Sequence, residues 1–154
     1  LVNLAVGKPG ASGRLAVPCV AVVITDATGR VLLGRRATGV RTGLWAFPGG
    51  AIEPGEDVSA AAVREAHEET SLVIKPERLL NVVTNHFDAF SALVVVIAAS
   101  VVSGNERPGE ELSELRWLHL TGPLAEPIPE MAFEGDAHVL AKLAAEPGFG
   151  LPLG

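Results

Sequence analysis

Three glutamates, Glu65, Glu68 and Glu69, fall at i, i+3 and i+4 of an alanine-rich stretch whose periodicity predicts a helix over residues 58–70. That spacing puts all three carboxylates on one helical face, one turn apart. Like charges so placed repel, at roughly a few tenths of a kcal/mol each in an exposed helix. A hard divalent cation wants such a cluster of carboxylate oxygens, keeps several waters, and bridges to phosphates. A solvated acidic surface is the alternative reading of the helix taken alone. What precedes it favours the cation: Trp45-Ala46-Phe47-Pro48-Gly49-Gly50 is a glycine turn whose backbone can approach a ligand closely. Asp57 is a natural N-cap for the helix. Glu56 lies about two helical turns before Arg64 and can reach it, a pair read as structural bracing of loop against helix.

Around this segment the hydrophobic pattern alternates between strands and helices. Residues 17–25 are β-branched and apolar, a buried strand; Asp26-Ala27-Thr28-Gly29 is a turn, and residues 30–36 return as the second arm of a hairpin. A loop at 37–43 carries Arg41, and a short apolar piece follows at 44–47. Beyond the helix, 79–87 and 90–102 read as two strands joined tightly at Asp88-Ala89, and 112–120 as another. A second helix is expected within 129–145. Strands, helix, strands, helix is the order of an α/β sandwich, one mixed sheet between helices. The expected organisation is a tail at 1–15, one domain at 16–146 and a second tail at 147–154.

Length agrees with a single core: 154 residues, 48% of them hydrophobic. The net charge of −6, with no basic groove, argues against duplex nucleic acid as a partner. No apolar run reaches the roughly 20 residues of a membrane span, and the first fifteen residues lack a secretory pattern. The single cysteine, Cys19, lies in an apolar run, and a buried inert thiol is expected. Together these features lead to an expectation of a cytoplasmic protein.

The segment 50–72 resembles the signature box of the Nudix hydrolases: Gly, five residues, Glu, seven residues, Arg-Glu, an apolar residue, any residue, Glu-Glu, any residue, Gly, an apolar residue. Gly50, Glu56, Arg64, Glu65, Ala66, Glu68, Glu69 and Leu72 fall in register, while Ser71 stands where the box has its last glycine. That glycine ends the helix in a left-handed turn, where serine costs roughly 1 kcal/mol more.

The resemblance implies a Nudix-type α/β/α sandwich and a Mg2+-dependent (or Mn2+-dependent) pyrophosphohydrolase. It implies that Glu65, Glu68 and Glu69 hold the metal with the backbone carbonyl of Gly49. Glu65 is also a candidate base. Other members take the base from a loop beyond the box, here 105–114, where Glu111 is the choice and a solvated loop charge the alternative. Arg35, Arg36 and Arg41 lie on the side of the box where substrate is expected, and strand alternation turns one of the first two inward. Phe47 and His86 are further candidate substrate contacts, and Phe87, Phe90 and Trp117 could stack on a base or simply fill the core.

The run 33–36 with 43–50 looks like small nucleoside triphosphate pyrophosphohydrolases, which would give nucleoside monophosphate and pyrophosphate. ADP-ribose or another nucleotide sugar is the second substrate reading. A module that senses a nucleotide without cutting it, and an interaction protein with an acidic helix, are readings of another class. Exposed strand edges would allow a homodimer.

Overall fold

The computed structural model describes residues 13–154, so most of the expected N-terminal tail lies outside the described residues. The elements in order are β1 (Leu15–Thr25), β2 (Val31–Arg36), β3 (Trp45–Ala46), β4 (Gly49–Ala51), α1 (Val58–Thr70), β5 (Val73–His86), β6 (Phe90–Ser103), β7 (Leu112–Leu118), α2 (Glu134–Ala145) and β8 (Leu151–Pro152). The strands make one mixed sheet in the order β3-β2-β1-β6-β5-β8, with β4 added to β1 and β7 to β2. β1 and β6 are parallel along their length; the other pairings are antiparallel. Helices cover both faces, as the α/β/α sandwich requires. None of the helices among the described residues is long and apolar enough to cross a membrane.

Alternation along β1 builds two cores. Val20, Val22 and Ile24 point to one face and pack with Ala61, Ala62 and Ala66 of α1. Ala21 and Val23 point to the other and pack with Val139, Leu140 and Leu143 of α2. Small alanines let α1 approach the sheet closely, and the glutamates interleaved with them are carried to its rim.

The expected hairpin of residues 17–25 and 30–36 exists only at its turn. β1 and β2 pair at Thr25↔Val31, beside the Asp26 turn. Beyond it they splay apart. The edge of β1 is taken by β4, with Val20 opposite Gly50 and Ala21 opposite Gly49, and the edge of β2 by β7. The glycine turn drives between them: Val22 N–H donates to the Pro48 carbonyl at 2.8 Å. A Cβ at Gly49 would lie 2.1 Å from the Val20 carbonyl oxygen, so only glycine fits there.

Some boundaries differ from the sequence reading. β5 begins at Val73, not Leu79, because the ladder steps around Pro76 with a bulge and continues. α2 begins at Glu134, within its expected range. The expected tail at 147–154 is tied down instead: Leu151 and Pro152 pair with β5, and the Arg78 Nε donates to the Phe149 carbonyl at 2.9 Å. α1 has the caps expected of it. Asp57 accepts from the Ala60 N–H at 2.7 Å, and Ser71 adopts the left-handed conformation at φ 63° while its N–H closes on the His67 carbonyl.

Candidate active site

Arg64 organises the start of the site. Its Nε and Nη2 take the two Glu56 oxygens at 2.7 and 2.8 Å, and Nη2 also donates to the Ala51 carbonyl at 2.9 Å. The chain between β4 and α1 is thereby clamped to the helix, as the bracing role of this pair requires. The guanidinium holds the Glu56 carboxyl at about 2, well below the usual range. Its third nitrogen reaches Glu65 Oε1 at 2.9 Å and Glu68 Oε2 at 3.2 Å.

Glu65 and Glu69 are buried at the junction of α1 with the glycine turn, and Glu68 is exposed at the rim. Glu69 Oε2 accepts the Gly49 N–H at 2.8 Å. A Cβ at Gly50 would meet Glu65 Oε1 at 2.5 Å, so a glycine there lets the carboxylate lie against the turn. The loop after β6 completes the cluster. Arg107 N–H and Gly109 N–H donate to the Thr70 and Glu69 carbonyls at 2.9 and 2.8 Å, satisfying acceptors that the end of a helix leaves open. Glu110 and Glu111 are carried with it. The five carboxylates of Glu65, Glu68, Glu69, Glu110 and Glu111 line a cleft of about 320 Å3. Burial, reinforced by Glu65 and Glu111, pushes the Glu69 carboxyl up to about 8 against the pull of the Gly49 N–H. Burial likewise raises Glu65, opposed by Arg64.

Among the described residues, no three His, Cys, Asp or Glu side chains already converge as a preformed metal cage. Arg64 engages one oxygen each of Glu65 and Glu68. The donor set nevertheless fits a hard cation: it is all oxygen, concentrated on one cleft, and its negative charge exceeds what Arg64 neutralises.

Two further clefts adjoin this one. A pocket of about 210 Å3 is walled by Phe87, Phe90 and Phe133, with Phe47, Arg36 and Asp136 also on its lining. The rings of Phe87 and Phe90 are 4.9 Å apart, and Phe133 stands edge-on to Phe87 at 6.2 Å. The Arg36 guanidinium lies 5.3 Å from the Phe133 ring centre and is anchored through Nε to the Val40 carbonyl at 2.7 Å. A smaller cleft of about 150 Å3 is lined by Arg36, Thr38, Gly39, Glu69 and Glu111 among others. Glu111 borders all three clefts.

The residues singled out in the sequence are thus partly brought together. Glu65, Glu68, Glu69 and Glu111 line one cleft, and Gly49 is hydrogen-bonded to Glu69 beside it. Arg36 and Phe47 line the aromatic pocket. Arg35 turns outward, donating to the Gly43 carbonyl at 2.9 Å and lying 3.7 Å from Glu114, as alternation along β2 requires. Arg41 is exposed at φ 57° and lines none of the three clefts. His86 is exposed and bonds Ser91 Oγ at 2.8 Å; it is Asn85, on the opposite face of β5, that enters the pocket. Trp117 is engaged elsewhere, donating from Nε1 to Glu106 at 3.0 Å. Cys19 is half-buried on the pocket wall rather than sealed in the core, and burial raises its thiol.

Sequence reasoning missed Phe133 and Asp136, and it preferred Glu111 to Glu110 on the same loop, where the structure puts both on the cleft. A signal for Asp136 was available: it shares the i, i+3, i+4, i+7 stripe of α2 with Val139, Leu140 and Leu143, an acid on an otherwise apolar face.

The model of the NUDIX domain matches residues 16–143. The chain belongs to the Nudix family. It is similar to an ADP-ribose pyrophosphatase of Methanocaldococcus jannaschii, 32% identical over 120 residues that cover 76% of this chain and 68% of the relative. It is also similar to an RNA pyrophosphohydrolase of Bradyrhizobium diazoefficiens, 48% identical over 58 residues, 35% of each chain. The match therefore spans about a third of that relative. The fold resembles the crystal structure of a MutT Nudix hydrolase from Burkholderia pseudomallei, with a TM-score of 0.72 and 26% identity over 84% of this chain and 99% of the other.

Proposed function

We propose that this chain hydrolyses the diphosphate link of a nucleoside diphosphate sugar and requires Mg2+ or Mn2+. The observation that carries the reading is the junction of three clefts at Glu111: an aromatic pocket of nucleoside character, an acidic cleft for the diphosphate and its cation, and a small polar cleft for a second moiety. The relative that matches over most of both chains, an ADP-ribose pyrophosphatase, supports the same class. A nucleoside triphosphate would leave the third cleft without an occupant, so that reading takes second place.

Glu65, Glu68 and Glu69, with the Gly49 carbonyl, would hold the cation. When bound, it neutralises phosphoryl charge and acidifies water. The rest falls to positioning and electrostatics. The phenylalanine rings bind the base. Arg36, rigid between two clefts, meets phosphate. Glu111 takes the proton of the attacking water as the bond between phosphorus and the leaving phosphate breaks. The products are a nucleoside monophosphate and a sugar phosphate. Arg35, Arg41 and His86 have no part in this assignment.

The test is turnover of a panel of nucleotide sugars, ADP-ribose and (deoxy)nucleoside triphosphates with Mg2+, with products identified and Glu69→Gln as control. Sugar phosphate release by the wild type, and its loss in the variant, is expected. Faster pyrophosphate release from a triphosphate overturns the substrate class. Nucleotide binding with no turnover of any compound overturns the enzyme reading in favour of a sensor.

A further inference from the structure

Asp136 is only 5% exposed, yet it forms part of the wall of the aromatic pocket. Among the described residues its side chain has one hydrogen bond, a long one of 3.4 Å from the Phe47 N–H. Arg36 lends it charge from a distance, but that guanidinium is stacked on Phe133 and held by Val40, and no ion pair within 4.0 Å joins the two among the described residues. An ionised carboxylate can accept about four hydrogen bonds and donates none. A buried one with most of that capacity unused is costly unless a ligand fills it.

We propose that Asp136 reads the nucleobase, selecting one that offers two adjacent N–H donors, as guanine does, over adenine. The inference rests on the function proposed above only in taking the aromatic pocket to be a nucleoside site. Ring faces such as Phe87, Phe90 and Phe133 stack on any base, so stacking confers little choice. The edge of the base decides. Guanine presents N1–H and the N2 amino group side by side, matching the two oxygens of one carboxylate. Adenine presents a donor beside an acceptor, and its acceptor would face a carboxylate oxygen. A site built to hydrogen-bond a ligand group discriminates strongly against a ligand lacking it, because the buried partner is left unpaired.

The experiment measures binding of GMP, IMP and AMP by calorimetry at pH 8.5, without metal, to the wild type and to Asp136→Asn. The wild type is expected to prefer GMP over AMP by about tenfold or more. IMP, which lacks the N2 amino group, is expected to bind more weakly than GMP. Asp136→Asn replaces two acceptors by a donor and an acceptor of the same shape, and is expected to lose the preference or turn it toward AMP. A purely structural Asp136 would not change that ratio. Equal binding of GMP and AMP by the wild type overturns the inference, as does binding of neither. An unchanged ratio in a folded variant does the same, and the wild-type GMP, IMP and AMP series decides the matter if the variant fails to fold. Turnover separates the two proposals. A base preference in binding with no nucleotide sugar cleaved sinks the function and leaves the base reading. Equal cleavage of guanosine and adenosine diphosphate sugars does the reverse.

Discussion

Gly109 donates its N–H to the carbonyl of Glu69 at 2.8 Å, so the loop bearing Glu110 and Glu111 lies directly on the last turn of α1. A Cβ at position 109 would come within 2.4 Å of the Glu68 carbonyl oxygen and 3.1 Å of the Glu69 Cα, both backbone atoms with little room to yield. Gly109→Ala is therefore expected to lift the loop and misplace Glu111. A displacement near 1 Å can lower turnover on the order of 100-fold. Steady-state kinetics beside a thermal melt check this; wild-type kinetics in the variant would show that the loop plays no part in the reaction.

Glu69→Gln keeps a carbonyl oxygen for the Gly49 N–H and removes one carboxyl group from the five-carboxylate cleft. Turnover is expected to fall on the order of 100-fold, and any rise in Tm produced by Mg2+ should shrink with it. Circular dichroism should remain that of the wild type. A variant that keeps both full activity and the Mg2+ response would remove Glu69 from the cation site.

The Arg64–Glu56 clamp gives an acid-side signature. The Glu56 carboxyl is held at about 2, below its ordinary 4.5. A depressed carboxyl contributes stability that is present above the unfolded value and lost as pH falls through the folded one. The pair should therefore lose its contribution between about pH 4.5 and 2. Glu56→Gln should flatten that part of the Tm–pH curve, and Arg64→Lys, which cannot make the two-pronged contact, should lower Tm at neutral pH. Parallel curves for wild type and Glu56→Gln would deny the clamp any stabilising role.

Asp136 gives the opposite sign. Burial pushes its carboxyl from 3.8 up to about 7, with the Phe47 N–H and Arg36 pulling the other way. A raised group contributes stability that is full below the unfolded value and disappears as pH rises through the folded one. Wild-type protein should thus lose stability between about pH 4 and 7 relative to Asp136→Asn, by on the order of a few kcal/mol. Urea unfolding of both proteins at pH 5 and 8 measures the difference, and a constant gap between them at the two pH values would contradict it.

Ser71 occupies a left-handed turn at φ 63°, where a side chain is disfavoured. Ser71→Gly should stabilise the protein by roughly 0.5–1 kcal/mol and raise Tm by about 2 °C. Activity should not change, since Ser71 lies on none of the three clefts. A fall in Tm would mean that the serine side chain holds the helix end in some other way.

Much of the carboxylate site was legible because its geometry is local. The i, i+3, i+4 spacing alone sets Glu65, Glu68 and Glu69 on neighbouring positions of one helix, Asp57 and Ser71 mark its ends, and the Glu56–Arg64 interval brings that pair within reach. The aromatic pocket was only half legible. Alternation said that one of Arg35 and Arg36 faces inward but not which, and the same ambiguity led to His86 where Asn85 stands. The hairpin of β1 and β2 was overread, since apolar strands beside a good turn carry no mark of the glycine turn that separates them.

The order of residues by itself determined the helix, its acidic face and its caps, because each depends on neighbours within a turn or two. Tertiary structure alone decided that Gly109 docks the Glu111 loop on α1, that Pro48 parts β1 from β2, and that Asp136 reaches the pocket from the far end of the chain. Those contacts join segments tens of residues apart, and which segments meet is settled by packing the two faces of one sheet at once.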